Sequence, residues 1–405
     1  MGKIIRDPES ASKRSYDLII IGGGIYGVML AYEASKRRLK TLLLEKNDFG
    51  GATSFNCLRI LHGGFRYLQT MDFYRFRESV IERKWFLKNF PGLVKPLPCL
   101  MPLYGDRLCR PSILRIAACM NDILSCKRNS GIVEDNQLPR SKVVGPEKTK
   151  QIFPDVNDRG LKGAVVWYDA FMPDSQLVLM KILKKSCAHD CTALNYVEAQ
   201  RVINGYNNIT GVIAIDTENG QAYEYRSRII INAAGPWCRK LAADFDRDVP
   251  ELFISSLSWN VLLDRDALSI HALAVAPKKR QARTYFLLPW KNKILAGTGH
   301  APWYGDPETP KPSLAMIKNF LNDLNLAIPT LQVGVEDILH VFSGLLPVSK
   351  AGTVDLTDRE VIYDHSINDG PIGLYSVSGI KFTTARRVAE KTLFRIYPEI
   401  KPGFD

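Results

Sequence analysis

The chain lacks the patterns that mark several large protein classes. It has eight cysteines among 405 residues, yet no CxxC pair and no ladder of Cys and His at zinc spacing. Cys187 and Cys191 lie one helical turn apart, which alone does not make a metal site, so no metal is expected. The thiols read as reduced and intracellular. The longest uncharged apolar run, Leu18 to Tyr32, is short for a membrane span and is broken by glycines. Residues 1–15 are polar and charged, unlike a leader, and read as a mobile N-terminal arm. The expectation is a cytoplasmic protein, with peripheral contact at the inner face of a membrane left open. No internal repeat and no low-complexity segment interrupts the chain.

Acidic residues are outnumbered: 54 Lys and Arg face 42 Asp and Glu, a net charge of +12. Such a balance admits an anionic substrate, an acidic membrane surface or nucleic acid. The basic residues are scattered, in short clusters such as Lys36–Arg38 and Lys278–Arg280, and no nucleic-acid module surrounds them. No nucleic-acid partner is expected. The length predicts two or three domains with a sizeable core.

What is present is concentrated between Tyr16 and Glu45. An apolar strand, Leu18 to Ile21, runs into Gly22, Gly24 and Gly27 at G-x-G-x-x-G spacing. A helical stretch follows, beginning at Ile25 and Tyr26, and then a second apolar strand, Thr41 to Leu44, closed by Glu45 and Lys46. Gly22 permits a tight turn, Gly24 lets the backbone approach a pyrophosphate, and Gly27 lets helix and strand pack closely. The helix start offers free N–H groups and a positive dipole end to phosphates. Glu45 is placed for ribose hydroxyls. The alternative is a glycine-rich turn in an unrelated α/β protein.

After Glu45 the alternation of an ordinary nicotinamide-binding fold does not continue. Residues 71–90 and 113–126 read as helices, 91–112 as irregular and proline-punctuated, and Gly163 to Tyr168 as a strand. Pro173-Asp174-Ser175 starts a helix through Ala188. Val197 to Ile231 is a β-meander with turns at Asn204-Gly205 and Asn219-Gly220. It closes on Asn232-Ala233-Ala234-Gly235-Pro236, small residues suited to close approach of a ligand. Strands dominate again from Leu252 to Gly299, Leu314 to Leu326 is helical, and Leu374 to Gly379 is a strand before a helix read from Ile380 onward. Two strand-rich inserts thus break the nucleotide domain, which suits a cofactor lying extended between interleaved domains and favours FAD.

Six blocks in order, IGGGIYG, ATSFNCLRILHGGFRYL, NAAGPW, LPW with GTGHAPWYGDP, FSGLLP and SGIKFTTAR, resemble the FAD-dependent glycerol-3-phosphate dehydrogenases, within the D-amino-acid-oxidase-like flavoenzymes. The resemblance spans roughly Tyr16 to Ile396. It implies an α/β fold: a glutathione-reductase-like Rossmann FAD domain (residues 16–90, 171–245 and 340–405) interleaved with an α+β substrate domain built on a mixed sheet (91–170 and 246–339). By position, Gly22, Gly24, Ile25, Tyr26, Gly27, Glu45 and Lys46 would hold the adenosine diphosphate. Thr53 and Ser54 would contact the phosphates or ribityl chain, and Val197 the adenine through its backbone. Ala234 and Gly235 would lie near the cofactor, and Gly379, Ile380, Lys381, Phe382 and Thr383 beside the flavin ring. There a helix N-terminus and the Lys381 ammonium would stabilise negative charge on reduced flavin; a surface lysine at a helix start is the alternative.

His62, Arg66 and Tyr67 match the block that lies against substrate and flavin. His62 is a candidate base for a substrate hydroxyl, or a structural histidine; covalent flavin attachment through it is not demanded. Arg66 can grip a phosphate or carboxylate in a bidentate fork, or serve an interdomain salt bridge. Tyr67 could support either. The sequence departs where the family carries a substrate-facing arginine: here stands Leu346. Gly297-Thr298-Gly299-His300 and Leu257-Ser258-Trp259-Asn260 also differ, making His300 and Trp259 candidate replacements. The chain stops at Asp405, short of the helical C-terminal domain of longer members. The expectation is oxidation of a CH–OH group of a small anionic polyol phosphate or hydroxy acid by hydride transfer to flavin N5, with quinone or oxygen as acceptor. The alternatives are a CH–NH amine or amino-acid oxidase, and a non-catalytic flavin-binding protein.

Overall fold

The computed structural model describes residues 2–68, 70–105, 110–279 and 282–402, so Arg280 of the basic cluster lies outside the described residues. The strand Leu18–Ile21 forms the middle of a six-stranded sheet. Its neighbours are Thr41–Leu44 and Cys191–Leu194 on one side, and Ile230–Asn232, Leu374–Ser378 and Val361–Asp364 on the other. All pairings are parallel except the edge strand Val361–Asp364. Both faces are covered, which is why these strands read as unbroken apolar runs. Leu18 and Ile20 pack under the helices Ile25–Lys36, Ser175–Ser186 and Ala385–Ile396. Ile19 and Ile21 point the other way, onto the meander.

That meander orders as Ser15–Tyr16, Ala222–Ser227, Ile209–Asp216 and Val197–Asn204. The first strand corrects the reading of residues 1–15 as a mobile arm. Asp7 caps a short helix, Pro8–Ser12, with Pro8 and Ala11 buried. Arg6 reaches Asp216 at 2.5 Å and the Asn195 carbonyl at 3.1 Å. The local polarity suggested disorder, but its partners lie some two hundred residues downstream.

A nine-stranded mixed sheet forms the second body. It runs Ile338–Pro347, Ser255–Asp266, Lys293–Pro302, Tyr285–Trp290, Ala272–Val275, Lys95–Leu103, Gly163–Phe171 and Ile60–Leu61, with Lys142–Val144 added beside Gly163–Phe171. It therefore draws on 60–61 and on 338–347 as well as on the two expected inserts. Lys95–Leu103 is a strand where an irregular segment was expected. Pro96, Pro98 and Pro102 all sit at even positions, so their missing N–H groups share one edge. Gly163–Phe171 pairs along the whole other edge, while Ala272–Val275 meets only Cys99 and Leu100.

The closing helix is fixed by buried charge. Arg386 pairs with Glu82 at 2.6 Å and reaches Glu33 at 3.5 Å, joining the helices Phe73–Asn89, Ile25–Lys36 and Ala385–Ile396. Burial pushes the Glu82 carboxyl up to about 7 against the pull of Arg386. This clamp holds the turn just before Ala385, where the two bodies meet. Among the described residues no helix is long and apolar enough to cross a membrane.

Candidate active site

A cavity of about 1270 Å³ runs between the two bodies, from Glu45 and Lys46 at one end to Gly379–Thr383 and His300 at the other. The glycine turn forms one wall. Gly22 has φ +105°, and a Cβ there would lie 2.7 Å from the Ala233 carbonyl oxygen. A Cβ on Gly27 would sit 1.8 Å from the Gly22 oxygen, so Gly27 acts below the cavity floor by letting helix and turn touch. Gly24 starts the helix and has no side chain to cap it; Ser54 supplies the acceptor, taking the Ile25 N–H at 3.0 Å. Glu45 accepts the N–H of Gly23 at 2.6 Å and of Asn47 at 2.8 Å, which aims its carboxylate along the turn. A tight turn cleared of side chains, a helix start and an acid at the next strand end fit the pyrophosphate and ribose of a dinucleotide.

All the residues expected to hold the cofactor line this cavity except Gly27. Val197 reaches it with its N–H already taken by the Glu45 carbonyl. Thr53 donates to the Leu345 carbonyl at 3.3 Å and so ties the cofactor side to the sheet. Lys46 lies over the Trp237 ring at 4.1 Å and pairs with Glu308, which also accepts the Trp237 indole N–H at 2.8 Å. The loop carrying Glu308 is thereby strapped across the end of the cavity that holds Glu45.

The segment after Gly379 corrects the expected helix from Ile380. The helix begins at Ala385, and residues 380–384 form a turn. The Tyr26 hydroxyl causes this: it accepts the Lys381 N–H and donates to the Lys381 carbonyl, both at 3.0 Å. Gly379 is required because a Cβ would meet the Tyr26 ring at 2.2 Å. Lys381 lines the cavity with its ammonium 4.3 Å from the Tyr67 ring centroid. Burial, and then the charge of Arg66, bring it down to about 8.

His62 faces the cavity beside Phe286. Behind it lies Asp169, which the sequence reading missed. Its carboxylate is buried and takes the Gly63 N–H at 2.6 Å, Arg83 at 2.8 Å and the Trp167 indole at 3.2 Å. His62 Nδ1 stands 3.5 Å from Oδ2, the oxygen that also takes the Trp167 indole N–H. Burial would raise this carboxyl, but hydrogen bonding from His62 and the charge of Arg83 hold it at about 2. A carboxylate at Nδ1 selects the tautomer with the proton there and leaves Nε2 as an acceptor.

Arg66 and Tyr67 do not line the cavity. Arg66 is exposed on the short helix Phe65–Leu68, close enough to Lys381 for their charges to repel. Tyr67 instead lines a second pocket of about 250 Å³ on the far side of Lys381.

The nine-stranded sheet supplies the opposite wall. Ser258, Asn260, Thr298, His300 and Leu346 all face the cavity. Trp259, at the odd position between Ser258 and Asn260, points into the core against Phe320 and is not a substrate contact. His300 Nδ1 is 2.9 Å from the Ser258 hydroxyl. Burial and the charge of Arg283 push His300 down to about 4, so it is neutral near pH 7. Arg283, just ahead of the strand Tyr285–Trp290, lies near enough for its charge to act on His300. Arg283 was also missed; its signal is that place before the strand. Arg59, buried, lines the cavity between Trp290 at 4.4 Å and Phe342 at 5.4 Å and donates to Ser175. Among the described residues Arg59, Arg66, Arg283 and Lys381 make no ion pair, so positive charge around the site is left for an anion.

The family described as FAD dependent oxidoreductase matches residues 17–392. A glycerol-3-phosphate dehydrogenase of Synechocystis is 30% identical over 406 residues, covering 96% of this chain and 71% of its own length. The mitochondrial glycerol-3-phosphate dehydrogenase of Schizosaccharomyces pombe is 29% identical, and this chain spans 62% of it. The crystal structure of the Bacillus halodurans glycerol-3-phosphate dehydrogenase with FAD superposes at a TM-score of 0.72 with 20% identity, over 96% of this chain and 66% of that one. The glycine turn, the cavity that continues from it and the match along nearly the whole chain agree: this chain belongs to the FAD-dependent oxidoreductases, enzymes with FAD as cofactor.

Proposed function

We propose that the enzyme oxidises a CH–OH carbon of a small phosphate-bearing polyol of the glycerol 3-phosphate type. The observation that carries this is His62, aimed into the cavity by Asp169 and sharing its lining with Arg59 and Lys381, which make no ion pair among the described residues. Bound FAD would supply the hydride acceptor. Nε2 of His62 takes the proton of the substrate hydroxyl, and Asp169 stabilises the imidazolium that results. Lys381, which lines the cavity, orients the anionic end, and the charges of Arg66 and Arg283 outside the lining add to the attraction. The sheet wall and the loop strapped by Glu308 restrict access of water. The similarity to dehydrogenases named for glycerol 3-phosphate supports this substrate class. Quinone and oxygen are the acceptors to compare, by reoxidation rates of the reduced enzyme.

A CH–NH substrate is favoured by one observation: the wall at Leu346 and neutral His300 is less charged than a phosphate site needs. Anaerobic titration with glycerol 3-phosphate, following flavin absorbance, tests the proposal. Bleaching supports it. A flavin that stays oxidised with glycerol 3-phosphate, yet bleaches with an amino acid more readily as pH rises through the amine's pKa, overturns it.

A further inference from the structure

Arg59 is a buried charge without an acid. It lines the cavity at 3% exposure and makes no ion pair among the described residues. Nη1 donates to the Ser175 hydroxyl at 3.3 Å, and buried Nε has no partner. The charge of Asp174 acts on it, but that carboxylate is exposed and accepts the Leu177 N–H at 2.9 Å as a helix cap. Rings enclose the guanidinium instead: Trp290 at 4.4 Å, Phe342 at 5.4 Å and Phe55 at 5.7 Å. The rings brace one another, with Phe342 5.9 Å from Trp290 and 6.0 Å from Phe55, and the Trp290 indole is tied to the Pro173 carbonyl. The backbone is held as firmly. Arg59 has φ +66°, in the left-handed region that side-chain-bearing residues rarely adopt, and its carbonyl takes the Met172 N–H. An unpaired buried charge on a strained backbone is costly, and such costs collect at functional sites.

We propose that Arg59 is the counter-charge of reduced flavin and raises the redox potential of the cofactor. A hydride brings two electrons and one proton to the neutral oxidised ring, which is left with one negative charge. The segment from Thr53 to His62 follows the cavity away from the glycine turn, where Ser54 accepts the Ile25 N–H. With the pyrophosphate at that turn, Arg59 falls along the course of the flavin end. Its guanidinium stays protonated at every working pH, whereas Lys381 loses its charge near pH 8. The surroundings favour flavin over the anionic end of a substrate. The groups around Arg59 are rings, which suit an aromatic ligand, and its one polar partner, Ser175, does not line the cavity. Reduced flavin spreads a single charge over a ring, while a phosphate concentrates nearly two on its oxygens, the costlier ion to strip of water in such a place.

The test uses FAD-loaded enzyme without substrate, so it stands apart from the substrate proposed above. The flavin midpoint potential is measured at pH 7 in the native enzyme, R59M and R59K, together with the affinity of each for inorganic phosphate. Removing the charge in R59M is expected to lower the potential by about 30 mV or more, a tenfold shift in the two-electron equilibrium. R59K keeps the charge and should stay within about threefold of the native equilibrium. A residue that only shapes the cavity would loosen oxidised and reduced flavin alike and leave the potential unmoved. Should R59M fail to retain flavin, S175D replaces it. Its carboxylate would sit on Nη1 and cancel the charge without removing the side chain, and the same fall in potential is expected. A potential unmoved in the variant that is read overturns the proposal, and so does R59K falling as far as R59M. Phosphate affinity lost tenfold in R59M with the potential unchanged would also overturn it, and would assign Arg59 to the anionic end of the substrate.

Discussion

Replacing Asp169 by Asn tests the chemistry most directly, because the carboxylate has two tasks that the amide separates. In the native enzyme one oxygen takes the Gly63 N–H and Arg83, and the other faces Trp167 Nε1–H and His62 Nδ1. The fall from 3.8 to about 2 means these donors favour the ionised form by roughly 2 kcal/mol, at about 1.36 kcal/mol per pKa unit. Because the folded value is depressed, this contribution is fully present above the unfolded value near 4 and is lost only as pH falls through about 2. At neutral pH it is complete in the native enzyme and absent from the variant. An amide can keep its oxygen on Gly63 and Arg83, which leaves its NH₂ donating toward His62. The imidazole must then accept at Nδ1 and carry its proton on Nε2, where it can no longer receive one from a substrate. A positioned base contributes on the order of 10²–10⁴ in rate, so anaerobic flavin reduction in D169N should fall about a hundredfold or more with flavin content retained. Stability should drop by roughly 3 kcal/mol, read from the denaturant midpoint, because buried Arg83 then faces a neutral group. H62Q should fall similarly, and the double variant little further, since the two residues act as one unit. D169N reducing flavin within threefold of the native rate, while H62Q is crippled, would refute the orienting role of the carboxylate. Native rates in both would remove His62 from the chemistry.

Gly27→Ala should weaken FAD binding at least tenfold in a fluorescence titration, since the added methyl meets the Gly22 oxygen at 1.8 Å and must displace the phosphate turn. Leu346→Arg should lower the KM for a phosphate-bearing polyol about tenfold or more, by returning a charge-assisted contact to the sheet wall; an unchanged KM would place the phosphate elsewhere. Affinity for inorganic phosphate should weaken as pH rises through about 8, where Lys381 loses its proton, and K381M should flatten that profile. The same depressed ammonium makes the folded state bind fewer protons than the unfolded one between about 8 and 10.5, so its contribution to stability rises with pH across that window. Glu308→Gln should speed FAD release several-fold, measured by loss of flavin into apoprotein trap, by loosening the strap to Lys46 and Trp237.

The legible part of this molecule is the part whose chemistry is local. Gly22, Gly24 and Gly27 announce themselves because a tight turn with a helix pressed on it leaves no room for Cβ. Leu18–Ile21 reads as a doubly covered strand because four consecutive buried side chains need apolar neighbours on both faces. Polar groups at the junction of the two bodies carry no such local mark. Lys381 was read as the start of a helix, which its sequence allows; a tyrosine hydroxyl 355 residues away holds it in a turn. Asp169 sits in a strand that reads as an apolar run, and only the fold sets it behind His62. Arg283 follows a basic cluster that looks like solvated surface, and only the fold brings its charge near His300. Trp259 and Ser258 show the same limit at the smallest scale: adjacent letters, opposite faces of one sheet, one in the core and one in the cavity. The glycine turn that lines the cavity is therefore written in a single motif, while the groups proposed to select and deprotonate a substrate come together through pairings between distant segments. Leu346 tests that division, because it is a local departure in a strand whose register is fixed by its neighbours. An arginine placed there must reach the cavity, so a failure of L346R to improve phosphate binding would place the phosphate away from this wall and would not count against the fold.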